Sequence, residues 1–347
     1  MTKQKMRKRG WITALLLIVM IAVIGAWVAY QTFQAPSIAT SEEYFYVMTD
    51  EPYEQVIQRI ETEGIVKSPR LFGYAAKAMD LESSGIRAGR YKLTPDMNNR
   101  RLIGNLRGGF QEAVKFRFQN LRLKTELAGL LGKAFEADSL TFNNLLNDQN
   151  LIEKHGFTPD NFFVMFIPNT YEIYWNTKPE EIIDRFAKEY AAFWTTDRAA
   201  RADSIGLSKS EVSILASIVK GEAMHTDEMP KIAGLYLNRL ERGILLQADP
   251  TVIFAHQDFS IRRVLNRHLT LDNPYNTYRY KGLPPGPIMM PSIAAIDAVL
   301  NPERHDYIYM CAKDDFSGYH LFAKTVSEHL VNARKFQRAL DERNIKR

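Results

Sequence analysis

Hydrophobic and polar positions divide the chain into stretches of different period. From Trp11 to Tyr30 runs WITALLLIVMIAVIGAWVAY, without a charged residue. About twenty residues at ~1.5 Å rise cover the ~30 Å hydrocarbon core of a bilayer, so the pattern predicts a transmembrane helix over residues 11–31. Residues 32–42 are polar, hold Pro36 and have no period, which reads as a tether. Over residues 43–110 short periodic segments alternate. EYFYVMT is a predicted strand and PYEQVIQRIETEG a helix with Gly64 past its end. KSPRLFGYAAKAM is a second helix with Ser68 as N-cap and Pro69 at its first position. GRYKL is a strand, and MNNRRLIGNLRGG a helix stopped by Gly108 and Gly109. Together they make a small α+β unit.

Residues 111–160 connect it to the rest. VKFRF alternates like a strand, and LKTELAGLLGKAF and SLTFNNLLND read as short helices. Residues 161–347 make a larger, mixed α/β domain. It opens aromatic-rich in FVMFIPNTYEIYW, after which PEEIIDRFAKEYAAFWTTDRAARA sets Ile182, Ile183, Phe186, Tyr190 and Phe193 at helical spacing, a core face. DYIYMCA and HLFAKT read as two strands joined through KDDFSGY, and SEHLVNARKFQRALDERNIKR as a terminal helix with a charged outer face. The expected fold class is α+β: one amino-terminal transmembrane helix, a small α+β subdomain and a larger mixed domain.

Charge orients the helix. Lys3, Lys5, Arg7, Lys8 and Arg9 precede the apolar run, while Glu42, Glu43, Asp50, Glu51 and Glu54 follow it, with no basic residue from its end to Arg59. The positive-inside rule keeps residues 1–10 in the cytoplasm and sends the rest across the inner membrane to the periplasmic side. The run is longer than a signal-peptide core and no Ala-x-Ala site follows, which predicts an anchor. The formal net charge is +5. Without the five basic residues of the tail, however, 40 Lys and Arg balance 40 Asp and Glu. The exported part therefore has no overall footprint for nucleic acid. Its single cysteine, Cys311, excludes an intramolecular disulfide.

The helix in SILASIVKGEAMHTDEMPKIAGLYLNRL contains a misfit. Ser208 and Glu211 form a capping box, and Leu207 with Val212 a hydrophobic staple. In that register Val212, Leu215, Val219 and Glu222 fall within an arc of about 80° at 3.6 residues per turn. A carboxylate thus shares the apolar stripe, and Lys220 points away from it. Desolvation raises the pKa of such a group, which suits a general acid. A buried Glu paired with an Arg, with Arg239 as the candidate, explains the pattern as well. After Gly243 comes LLQADPTVIFA, in which Gln247, Asp249 and Thr251 alternate beside Pro250. Then comes NPYNTYRYKGLPPGPIMMPS, dense in Tyr, Asn, Pro and Gly. Tyr275 and Tyr278 offer flat amphipathic faces, Asn276 an amide, and Pro284 and Pro285 stiffness. The set suits a carbohydrate, and it equally suits an ordinary Pro-rich turn.

ASIVKGEA, AGLYLNRL, LLQADPTVIF, YNTYRYKGLPPGPI and HLFAKT, in that order, resemble the endolytic murein transglycosylase, or YceG-like, family. FIPNTYEIY resembles that family's Pro-x-Thr-Tyr segment. The unit at 43–110 resembles its LysM-like subdomain, and the single membrane helix is a family trait. The resemblance implies a catalytic acid at Glu222. Substrate contacts then fall to Asn238, Arg239, Gln247, Asp249, Thr251, Tyr275, Asn276, Tyr278, Pro284, Thr170, Tyr171 and His320. It implies a lyase acting on peptidoglycan glycan strands without a cofactor, working beside the peptidoglycan synthases that polymerise them. Many relatives carry a second acid two positions before Glu222, where this chain has Lys220, so a two-carboxylate scheme across this helix is not expected.

By this analogy protonated Glu222 gives its proton to the MurNAc–GlcNAc bridging oxygen, then recovers one from the muramic 6-hydroxyl as a 1,6-anhydro ring closes, so the nucleophile comes from the substrate. Arg239 touching Glu222 would lower the acid's pKa, so Arg239 is expected to pair with Asp249 or with substrate. Other chemistries fit less well. Glu222 and His225 make one Glu-x-x-His pair without the second copy that a di-metal bundle needs. Gly-x-Ser-x-Gly is missing, and Cys311 lies in a strand pattern. A non-catalytic glycan-binding or synthase-associated module and a hydrolytic muramidase are the remaining rivals.

Overall fold

The computed structural model describes residues 2–343, and it resolves into two compact units, Met1–Lys115 with Glu172–Thr177 and Phe116–Tyr171 with Lys178–Arg347. The first contains α1 (Thr2–Phe33), β1 (Tyr44–Val47), α2 (Tyr53–Thr62), α3 (Pro69–Ala78), α4 (Leu81–Ser84), β2 (Gly89–Lys92) and α5 (Asn99–Gly108). Within α1, Gly10–Phe33 is long and apolar enough to cross a membrane, and its most apolar window packs against no other part of the protein. A helix apolar on every face and left uncovered is suited to lipid.

Strands β1 and β2 pair antiparallel, Tyr44 opposite Lys92 and Val47 opposite Gly89. Their period of two turns Phe45, Val47 and Tyr91 inward, against Val56 and Ile60 of α2, Phe72 of α3 and Leu102 and Leu106 of α5. Ser68 caps α3 by accepting the Leu71 N–H at 3.4 Å, and α5 ends at Gly109 with φ of 70°, a left-handed position. The segment 32–42, which reads as a tether, is fastened to the unit at Ser37 and Ile38. Ile38 is buried and bridges to Val66, and the Ser37 N–H donates to the Met97 carbonyl at 2.9 Å. One buried Ile between Pro36 and polar neighbours leaves no periodic trace in the sequence.

The second unit begins within β3 (Val114–Arg117) and continues through α6 (Lys124–Ala134), α7 (Ser139–Leu146), α8 (Gln149–Lys154) and the first two residues of β4 (Thr170–Ile173). Next come α9 (Pro179–Phe193), α10 (Thr196–Ser204), α11 (Lys209–Glu222), α12 (Met229–Glu241), α13 (Asp249–His256), α14 (Asn266–Leu269) and α15 (Ile293–Leu300). Strands β5 (Tyr309–Ala312) and β6 (His320–Ala323) pair antiparallel, and α16 (Val326–Glu342) follows. The helical run after Lys178 breaks at Trp194, because Thr195 caps α10 by accepting the Arg198 N–H at 3.3 Å. Arg198 then lies over the Phe193 ring and pairs with Asp297.

At the centre is α11, packed by α12, α13 and α15. The capping box forms as the sequence predicts, with the Ser208 N–H donating to Glu211 Oε2 at 2.8 Å. The single apolar stripe does not describe the rest of the helix, since every residue from Val212 to Val219 is buried. Ser213 and Ser217 tolerate this by donating to the Lys209 and Ile214 carbonyls of their own helix.

Candidate active site

Glu222 is the last residue of α11. Directly before it, a Cβ added to Gly221 would lie 2.9 Å from Pro250 Cβ. The glycine therefore lets the first turn of α13 lie against the end of α11, which puts Asp249 beside Glu222. From α12, the Tyr236 hydroxyl donates to Glu222 Oε1 at 3.0 Å. These groups, with Arg239, Gln247, Tyr278 and His320, line a cavity of about 270 Å³. Leu235, Leu246 and Met310 add apolar wall.

Burial pushes the Glu222 carboxyl up, the nearby Asp249 charge adds to it, and the Tyr236 hydrogen bond and Arg239 oppose them; the result is about 7 against an ordinary 4.5. Burial also raises Asp249, while the Tyr278 hydroxyl, donating to Asp249 Oδ1 at 2.6 Å, favours its charged form. Two carboxyl groups in one cavity thus have unequal environments, and Glu222 can hold a proton near neutral pH. Burial raises the Cys311 thiol, so that wall of the cavity stays neutral.

Among the described residues no ion pair joins Arg239 to Glu222 or to Asp249. The expected Arg239–Asp249 pair is replaced by a clamp on the main chain. Arg239 Nε donates to the Ile308 carbonyl at 2.6 Å, and Nη1 to the Leu245 and Leu246 carbonyls at 2.9 and 2.8 Å and to Gln247 Oε1 at 3.2 Å. Carbonyl dipoles satisfy the buried cation, leaving the acid free of a direct counter-ion.

The other sequence candidates separate into two groups. Gln247, Asp249, Tyr278 and His320 face the cavity with Glu222 and Arg239. Seven others lie outside its lining, and all but the exposed Thr170 pack or bond within the scaffold. Asn238 donates to the His305 and Tyr307 carbonyls at 2.7 and 3.0 Å. Helix α13 starts at Asp249, and Thr251 turns inward to the Ala248 carbonyl and the Thr277 hydroxyl. Asn276, fully buried, donates to the Leu269 and Leu271 carbonyls and fixes the Tyr-rich loop. Tyr275 packs its ring on Phe254, and Pro284 is buried. Thr170 is exposed on β4, and Tyr171 is buried between Phe118 and Phe186. His225 contacts the Ser317 carbonyl and stacks on Tyr319.

A family model, the YceG-like family, matches residues 45–335. The chain belongs to the YceG-like family. It is 29% identical over 312 residues to the endolytic murein transglycosylase of Bacillus subtilis (strain 168), covering 82% of each chain. It is 25% identical over 361 residues to the endolytic murein transglycosylase of Streptococcus pneumoniae serotype 2, covering 92% of this chain and 64% of that one. A crystal structure of a YceG-like protein from Listeria monocytogenes matches with a TM-score of 0.53 at 23% identity, over 84% of this chain and 99% of that one, and shares the fold.

In this YceG-like chain two further residues bear on the site. Tyr236 holds the acid, and its position three before Arg239 on α12 was the available signal, because residues three apart share a helix face. Glu228, buried in the turn before α12, accepts the His320 main-chain N–H at 2.7 Å and contacts His320 Nδ1 at 2.8 Å. It fixes the imidazole at the cavity wall. No period or motif marks an acid in that short turn.

Proposed function

We propose that this protein is a membrane-anchored endolytic lytic transglycosylase, a lyase that cuts the MurNAc–GlcNAc bond of peptidoglycan and leaves a 1,6-anhydroMurNAc end. The observation that carries the reading is the carboxyl of Glu222, raised to about 7 on the wall of a cavity and free of a direct counter-ion. The names of the Bacillus and Streptococcus relatives agree with it.

Protonated Glu222 gives its proton to the bridging oxygen as the C1–O bond breaks, and C1 takes oxocarbenium character. Asp249 faces that positive charge. The Glu222 carboxylate then removes the proton of the muramic 6-hydroxyl while O6 bonds to C1. The proton count closes and no water is consumed. Tyr236 orients the acid, and Gln247, Tyr278 and His320 hold the sugar; the apolar walls disfavour water. Positioning O6 over C1 makes closure intramolecular, where effective molarities are large.

The antiparallel β1–β2 pair around α2 and α3 supports a LysM-like, glycan-binding role for residues 43–110, with 111–160 as connector and 161–347 as catalytic domain. The basic tail supports a cytoplasmic amino terminus and a periplasmic site; work on nascent strands beside synthases rests on the family resemblance alone.

Asp249 gives one rival a specific footing, because a second carboxylate is what a hydrolytic muramidase needs. Product mass separates the two. Full-length protein in detergent micelles and its Glu222→Gln variant are incubated with uncrosslinked glycan. New ends one water lighter than hydrolysis gives, lost in the variant, establish the lyase. Ends of full hydrolytic mass establish the muramidase, and glycan retained but uncut by both proteins establishes a binding module.

A further inference from the structure

A second cavity, of about 560 Å³, lies in the first unit between the end of α1 and helix α5. Ala29, Tyr30 and Phe33 form its apolar side, and Arg100 and Arg107 its basic side. Among the described residues no carboxylate lines it. The two arginines are seven residues apart, two turns of α5, and so project from one face about 10 Å apart along the axis. Leu102 and Leu106, on the far side of the helix, are core.

The cleft is fixed from both sides. Asn99, buried, donates to the Thr32 carbonyl at 2.9 Å, and Asn98 to the Gln34 carbonyl at 3.3 Å, so the start of α5 is tied to the last turn of α1. Arg107 donates through Nη1 to the Met79 carbonyl at 3.0 Å, which orients its guanidinium. Its depth follows from the sequence. Residues 11–30 fill the hydrocarbon thickness, so Tyr30, Phe33 and Gln34 fall at headgroup level, where Trp27 and Tyr30 also favour residence. Two guanidinium groups at that depth, beside an apolar wall continuous with the membrane helix, match a ligand with a phosphate above and acyl chains below. Arginine binds phosphate through paired N–H donors.

We infer that this cleft is a binding site for an anionic phospholipid, with Arg100 and Arg107 on the headgroup phosphate and the acyl chains along α1. The site is independent of which way α1 crosses the membrane and of the chemistry at Glu222. Its role is to hold the first unit against the bilayer in a defined rotation.

The test uses the full-length protein, reconstituted with equal phosphatidylglycerol and phosphatidylcholine, then analysed by native mass spectrometry for retained lipid. Wild type is expected to retain phosphatidylglycerol in preference. At about fivefold per arginine near a membrane surface, Arg100→Gln lowers retention about fivefold and the double Arg100→Gln, Arg107→Gln variant more than tenfold. Arg100 is exposed, so its single variant reads binding without a folding defect. Equal retention of both lipids, or of phosphatidylglycerol by wild type and variants, overturns the inference. Release of the lipid by millimolar inorganic phosphate also overturns it and makes the cleft a site for free phosphate.

Discussion

Glu222→Gln separates chemistry from stability in opposite directions. The unfolded chain loses the Glu222 proton as pH passes 4.5, whereas the folded site keeps it until about 7. The folded state therefore binds more protons between these values, and stability falls as pH rises through that window. At 1.36 kcal/mol per pKa unit the full effect is up to about 3 kcal/mol by pH 8, and below about 1 kcal/mol at pH 5. Gln keeps an oxygen that can accept the Tyr236 hydroxyl and has no charge to bury. The variant is expected to be inactive, close to wild type in stability at pH 5, and more stable at pH 8 by up to about 3 kcal/mol. For a unit of this size that is about 6–12 °C in Tm. Thermal unfolding of both full-length proteins in the same detergent, at pH 5 and pH 8 and equal ionic strength, reads the difference. A stability gap that does not widen with pH, or a wild type that is the more stable at pH 8, refutes the buried-acid argument.

The remaining tests vary the surroundings of the acid. Asp249→Asn removes a charge that raises the Glu222 pKa, so the alkaline limb of kcat/KM moves to lower pH, while Tyr236→Phe removes a hydrogen bond that lowers it and moves the limb to higher pH; shifts in the same direction contradict the assignment. Gly221→Ala is expected to destabilise by about 1–3 kcal/mol despite its better helix propensity, because the methyl meets Pro250, and to reduce kcat as α13 shifts; urea unfolding and initial rates measure both. Glu228→Gln should lower kcat/KM about tenfold through a mispositioned His320, with little change in the pH of the alkaline limb; an unchanged rate removes Glu228 from the site.

Much of the fold is legible in the sequence. Capping signals at Ser68 and Ser208, left-handed Gly109 and the apolar run of α1 are local, and local chemistry dictates them. Glu222 stands out in the sequence because it is a charge at the end of an apolar helix, and the structure places it on a cavity wall. The substrate candidates are less legible. Asn238, Thr251 and Asn276 are polar residues in informative motifs, yet their side chains are spent on main-chain carbonyls and a neighbouring hydroxyl of their own loops. A sequence records that a polar group is present and not which way it faces. The same limit hid the Arg239 clamp, whose acceptors come from Leu245 and, far along the chain, Ile308. It also hid the packing of Ile38, visible only once Val66 is known to lie beside it.

That packing changes the mechanics of the anchor. Eleven free residues could extend some 36–40 Å and act as a leash, letting the first unit sample a wide volume above the bilayer. With Ser37 and Ile38 folded into the unit's own core, the chain between α1 and β1 has no slack. The helix works as a stilt: twisting or tilting α1 in the membrane turns the whole first unit with it. Any surface of that unit is then presented at a height and angle set by the bilayer.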